Sequence, residues 1–267
     1  MKKVLYILSL GHSGSTILDI SLSRHPSAIG LGELGVLFRN KKAAVEGTES
    51  VCGCGKDIDQ CDVWSGYQEA VKNMAPDDVL QKYQSVLNLP VVKEKDIIID
   101  SSKDINLVNK LSELDDKGVI DLQVIFLIRD ARGWVRSMQN VDKNAGHKRR
   151  TGLYYLLKWY RRNRRLQREL MRNNCKYIQL GYDEFCSDMP RMMNLIFEHS
   201  NIDASVYNAS SAPCSHIAYG NRMKKDLGGR YVKYDIGWQY SYKFNLLLVM
   251  LPNIFRWNSK QVYSNTR

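Results

Sequence analysis

The residues with the most evident chemistry lie close to the N-terminus, in Gly11-His12-Ser13-Gly14-Ser15-Thr16. A continuous apolar run at residues 4–10 precedes them, and Ile17, Leu18, Ile20 and Leu22 follow at helical spacing, so the segment reads strand, loop, helix. Such a loop aims backbone N–H groups and the positive end of a helix at one point, which is a place for an anion. Gly11 and Gly14 let the backbone approach a phosphate closely, and Ser13, Ser15 and Thr16 add hydroxyl donors. No Gly-Lys pair precedes the Ser/Thr, so this is not the Walker-type loop of ATP-hydrolysing proteins. The competing reading of the same residues is a small-residue turn chosen for tight packing.

A second constellation starts at the end of another apolar run. Residues 124–128 lead into Arg129-Asp130-Ala131-Arg132-Gly133-Trp134-Val135-Arg136-Ser137. A buried strand ending at Arg129 delivers a guanidinium to the crevice where open α/β sheets bind ligands. Ser137, eight residues on, falls about two turns into the next helix and can face the same pocket. A guanidinium with a hydroxyl is a phosphate site, although strand-terminal arginines also serve structural ion pairs.

In this order the two motifs resemble the sulfotransferases that use 3′-phosphoadenylyl sulfate (PAPS). The resemblance implies that His12, Ser13, Gly14, Ser15 and Thr16 grip the 5′-phosphosulfate, and that Arg129 and Ser137 hold the 3′-phosphate. Further family-like pieces are His25-Pro26 with Gly32-Glu33, Asp100-Ser101-Ser102-Lys103, Tyr182-Asp183-Glu184-Phe185, and His216 with Gly220-Asn221. The family usually carries Lys or Arg where this chain has His12, which neutralises charge there only as imidazolium or acts as a neutral N–H donor. Glu33, 21 residues after His12, stands where one branch of the family keeps its catalytic base. Its rival role is that of an N-terminal charge on the following helix. Lys103 would stabilise the leaving phosphate oxygen, or is simply an exposed lysine. Asn221, Arg222 and Lys224 are the candidates for the family's C-terminal nucleotide-binding element.

The elements that must position these groups follow from hydrophobic patterning. Residues 97–99, 122–128 and 177–180 are buried-strand candidates without alternation. Leu107, Val108, Leu111 and Leu114 mark a helix that Gly118 ends. Residues 139–174 read as mostly helical, with Leu153, Leu156, Leu157, Tyr160 and Leu166 as the apolar stripe, and residues 190–199 as another helix. Strands alternating with helices imply an α/β fold with a central parallel sheet flanked by helices, here of the P-loop nucleotide-binding type. A single domain over residues 1–267 is expected, with 34–95 as a substrate-side insert and 205–267 as a C-terminal segment, both irregular in pattern.

The composition, 44% hydrophobic and 25% charged over 267 residues, excludes disorder, collagen and coiled coil. No apolar stretch reaches the roughly 20 residues of a spanning helix. Net charge is +11, and residues 143–172 hold eleven Lys/Arg against Glu169 alone, so the rest of the chain is almost neutral. That helix draws anions or is a solvated face. Tyr154, Tyr155, Trp159 and Tyr160 within it are read as core, and nucleic acid is not an expected partner. Cys52, Cys54 and Cys61 tempt a zinc reading, with His12 or Cys186 as the fourth ligand. With three local ligands they read instead as a structural element, disulfide-bonded if oxidised, and no metal is expected. The six cysteines are too sparse for a secreted disulfide scaffold, so a reducing, cytoplasmic compartment follows.

The function implied is sulfuryl transfer from PAPS to a hydroxyl, or an amine, of a small molecule, carbohydrate or peptide. Two rivals stand beside it. A P-loop kinase of a small hydroxyl compound would use the same loop with Mg²⁺ and ATP. A non-catalytic module would bind polyanions or membranes through the basic helix.

Overall fold

The structure is a computed structural model that describes residues 1–39, 51–71, 74–75, 78–148, 150–218 and 236–265. Asn221, Arg222 and Lys224 lie outside the described residues. The chain is α/β. Its elements are β1 (Lys2–Ser9), α1 (Ser15–Leu22), β2 (Ala28–Gly30), α2 (Leu34–Arg39), α3 (Trp64–Val71), α4 (Val79–Leu87), α5 (Pro90–Lys93), β3 (Ile97–Asp100), α6 (Ile105–Asp116) and β4 (Ile120–Ile128). There follow α7 (Ala131–Asn144), α8 (Gly152–Arg172), β5 (Tyr177–Gly181), α9 (Tyr182–Ser187), α10 (Met189–His199), α11 (Tyr242–Val249) and α12 (Pro252–Val262). The five strands make a parallel sheet in the order β2-β3-β1-β4-β5.

Two compact units divide the chain. The first comprises Met1–Leu8, Thr16–Val124 and Ile202–Arg230. In it β3 is the central strand, pairing Val4 with Ile98 on one side and Ile29 with Ile98 on the other. Apart from the half-buried Lys3, the paired residues of all three strands are buried, which is why β1 and β3 read as apolar runs. Only three residues long, β2 has too little pattern to be seen between Pro26 and Gly32. In α6, Leu107, Val108, Leu111 and Leu114 are buried as expected, Asp104 caps the first turn, and Gly118 at φ +66° follows the end.

The second unit comprises Ser9–Ser15, Ile125–Asn201 and Tyr231–Arg267. The stretch expected to be one helical region is two helices, α7 and α8, separated around Gly146 at φ +68°. Thr151 caps α8 by accepting from Tyr154 N at 3.2 Å. The buried face of α8 is Tyr155, Leu156, Trp159, Asn163 and Leu170, while Leu153 is exposed. Tyr155 and Trp159 win the interior because each removes far more apolar area from water than a leucine. The segments that carried no pattern are substantially helical: α2 to α5 lie within 34–95, and α11 and α12 within 205–267. Short helices whose burial comes from aromatics such as Trp64, Tyr67 and Tyr83 leave little 3.6-residue periodicity to detect. Among the described residues, no helix is long and apolar enough to cross a membrane.

Candidate active site

The Gly/Ser/Thr loop joins β1 to α1, as its residue types require. Gly14 has φ +95°, and a Cβ placed on it would meet the Tyr182 ring at 2.2 Å, so both backbone conformation and space demand glycine. His12 also has positive φ, +67°, an uncommon conformation for a residue with a side chain. The loop is fastened from β4 and α7. Trp134 Nε1 donates to Gly11 O at 2.8 Å, and Arg129 Nη1 donates to His12 O at 3.2 Å. Two loop carbonyls are thereby tied back. The amides of Ser15 and Thr16 begin α1, where the first N–H groups have no partner within the helix. Ser13, Ser15 and Thr16 are buried.

Arg129 is the residue that ties this loop to β4. It follows the last residue of β4, its guanidinium carbon lies 5.1 Å from the Tyr182 ring centroid, and its buried Nε has no hydrogen-bond acceptor among the described residues. Trp238 Nε1 is a second buried donor without an acceptor among them, and both nitrogens approach Gly133, where a Cβ would stand 3.0 Å from Trp238 Nε1 and 3.1 Å from Arg129 Nε. The backbone here is held firmly. Asp130 caps α7, accepts from Arg132, from Asn258 Nδ2 at 2.9 Å and from Tyr263 at 3.0 Å, and its own N–H donates to Asp183 at 2.6 Å. Trp159 Nε1 donates to Arg129 O at 3.1 Å. This scaffold of Trp134, Trp159, Asp183 and Asn258 escaped the sequence reading, apart from Asp183 in its family-like tetrapeptide. Ser137 is partly buried on α7. A cavity of about 750 Å³ also lies in this unit, lined by Arg136, Arg150 and Lys243 with both polar (Gln139, Asn140, Ser241) and apolar neighbours, and includes none of the loop residues.

The first unit places Glu33 and Lys103 together. Lys103 Nζ donates to Glu33 Oε1 at 2.5 Å, with 16% and 21% of the two side chains exposed. Lys103 is therefore not an exposed lysine. Glu33 immediately precedes α2, where a negative charge meets the positive end of the helix. The end of β3 builds the support. Asp100 accepts from Ser102 N at 2.9 Å and from its hydroxyl, the same hydroxyl accepts from Gly35 N at 2.7 Å, and Ser101 N donates to Gly32 O at 2.8 Å. Lys103 follows at φ +62°. His25 is structural here: its Nε2 lies 3.1 Å from Asp203 O, and its Nδ1 accepts from Ser27 N.

Burial pushes the Asp19 and Asp100 carboxyls up to about 7, from an ordinary 3.8, against the hydrogen bonds from Ser101 and Ser102 that act to lower them. The folded state then keeps protons that the unfolded chain releases. These carboxyls favour folding most at low pH, and that contribution falls as pH rises from about 4 through about 7 and is constant above. Asp19→Asn is expected to flatten the profile by one carboxyl's share. Urea midpoints at pH 5 and 7.5 check this: wild type should lose more stability between them than the variant, and parallel profiles would contradict it.

The cysteines do not behave as expected. Neither His12 nor Cys186 joins them; Cys52, Cys54 and Cys61 converge on His216, 155 residues further on. All are free thiols. No local signal links His216 to the cysteines, because the pairing is made by the chain's return to the edge of β2.

Similarity to known proteins is confined to architecture. A sulfotransferase from Alicyclobacillus acidocaldarius superposes with a TM-score of 0.52 at 11% identity, covering 98% of this chain and 96% of that one. The sulfotransferase domain of the curacin biosynthetic pathway gives 0.49 at 13% identity over 94% of this chain and 98% of its own length. The sulfotransferase domain of the Synechococcus PCC 7002 olefin synthase gives 0.48 at 17% over 90% and 85%. No family model and no curated protein matches the chain. The α/β fold with a five-stranded parallel sheet is thus the fold of a solved sulfotransferase.

Proposed function

We propose that this protein is a sulfotransferase that takes a sulfuryl group from PAPS and passes it to an acceptor hydroxyl, releasing adenosine 3′,5′-bisphosphate. The observation that carries the reading is Arg129. It is bound to the loop through the His12 carbonyl and retains a buried Nε without an acceptor among the described residues, so one guanidinium both shapes the loop and has a donor left for a phosphate oxygen. The sulfotransferase fold supports it.

In this reading the amides of Gly14, Ser15 and Thr16 bind the 5′-phosphate, with Ser13 supporting the turn. Arg129 and Ser137 bind the 3′-phosphate, which is the group that distinguishes PAPS from ATP and adenylyl sulfate. The family resemblance adds Asn221, Arg222 and Lys224 as nucleotide-binding candidates, which lie outside the described residues. Glu33 takes the acceptor proton as oxygen attacks sulfur, and the sulfur–oxygen bond to the phosphate breaks in line. His12 and Lys103 meet the charge that develops on that phosphate oxygen. Sulfuryl transfer resembles phosphoryl transfer in spreading charge without a covalent intermediate, so positioning and electrostatics suffice. The acceptor is a small molecule, carbohydrate or peptide hydroxyl.

Calorimetry with adenosine 3′,5′-bisphosphate tests this. Arg129→Ala should weaken binding about 10–150-fold, the equivalent of roughly 1.5–3 kcal/mol for hydrogen bonds to a charged group. The loss should largely disappear with adenosine 5′-monophosphate, which lacks the 3′-phosphate. Unchanged affinity for the bisphosphate would overturn the assignment.

A further inference from the structure

We propose that Cys52, Cys54, Cys61 and His216 form a closed, tetrahedral zinc site that fastens the insert to the sheet edge. Their four ligand atoms lie within 4.8 Å of one another. Cys61 Sγ is 3.5 Å from Cys52 Sγ, 3.8 Å from Cys54 Sγ and 3.2 Å from His216 Nδ1. A tetrahedron with Zn–S bonds of about 2.3 Å has sulfur–sulfur edges of about 3.8 Å. A disulfide would need about 2.05 Å. Thiols are weak hydrogen-bonding groups, so three of them gathered around an imidazole gain little from one another. A soft set of three sulfurs and one nitrogen suits zinc and not magnesium or calcium.

The surrounding backbone is built to hold these ligands. Gly55 at φ +88° closes a tight turn in which Gly55 N donates to Cys52 O at 2.9 Å and Cys52 N to Lys56 O at 2.8 Å, so Cys52 and Cys54 present their sulfurs from one knuckle. A single 3₁₀ turn, Ile58–Gln60, then returns the chain to Cys61. His216 is held from two sides. Its N–H donates to Gly30 O at 2.7 Å beside the Gly30–Ser215 bridge to β2, and its carbonyl accepts from the buried Trp64 indole at 2.7 Å. Gly53 N donates to Ile217 O at 3.1 Å, which draws the knuckle onto the same segment. Outer contacts of this kind fix first-sphere ligands in place. Four protein ligands leave no open position, so the site is structural. Loading releases three thiol protons and leaves the neutral imidazole bound through Nδ1.

The test is metal analysis of the full chain, purified under reducing conditions without chelator. About one zinc per chain is expected for one such site. Cobalt(II) exchanged into the protein should give thiolate-to-cobalt charge-transfer bands in the near ultraviolet and the strong visible bands of tetrahedral cobalt. His216→Ala and Cys54→Ser should lose zinc to a chelator concentration that leaves wild type loaded, whereas Cys175→Ser, at a thiol elsewhere, should keep it. A reduced wild-type chain that contains no zinc and takes up neither zinc nor cobalt would overturn the proposal. So would a His216→Ala variant with full zinc and an unchanged cobalt spectrum. Neither readout depends on sulfuryl transfer.

Discussion

Glu33→Gln is expected to bind adenosine 3′,5′-bisphosphate as tightly as wild type and to transfer the sulfuryl group about 10²–10⁴-fold more slowly, the usual worth of a general base. Glutamine keeps an oxygen for the Lys103 ammonium, which now lies 2.5 Å from Glu33, so the substitution removes basicity while leaving the partner's position intact. Labelled PAPS with a panel of hydroxyl acceptors supplies the rate, and calorimetry the affinity. The split between the two matters. Should Glu33 act only as a charge at the start of α2, the variant would lose roughly 0.3–1 kcal/mol of stability and retain near-normal turnover. Normal turnover would remove Glu33 from the chemistry and leave Lys103 with a purely structural partner.

Gly14→Ala should be strongly damaging, because space and backbone conformation oppose the added methyl together. The new Cβ would meet the Tyr182 ring at 2.2 Å, and φ +95° would be strained for alanine even with space. Overpacking and left-handed strain together cost on the order of 2–5 kcal/mol. Tyr182 can yield only by disturbing Arg129, whose guanidinium lies against its ring at 5.1 Å. Loss of stability should therefore come with loss of nucleotide affinity. The double variant with Tyr182→Ala should recover part of the stability, a coupling within about 0.5–3 kcal/mol, because the steric component goes and the backbone component stays. Chemical denaturation of the four proteins measures it. An alanine variant as stable as wild type would mean that the loop does not hold this conformation.

Much of the architecture was legible because it is local. β1, β3, β4 and β5 announce themselves as apolar runs, and Gly118 and Pro190 mark helix ends that the structure keeps. The strand–loop–helix turn was visible through its glycines, of which Gly14 adopts a positive φ of +95°. Elements without a local signature went unseen: the three residues of β2, the aromatic-filled helices of the insert, and the split between α7 and α8. In α8, Leu156 of the expected stripe is buried beside Tyr155 and Trp159, whereas Leu153, Leu157 and Leu166 are left partly in water.

From the amino-acid order alone came the strand–loop–helix and the arginine at a strand's end, and the family resemblance singled out Glu33 and Lys103. Tertiary structure decided which of these groups meet. Lys103 reaches Glu33 across 70 residues, Arg129 reaches His12 across 117, and His216 reaches Cys61 across 155. Those meetings depend on how strands far apart in the chain are ordered and how their ends are packed, and side-chain type and spacing carry no record of that order.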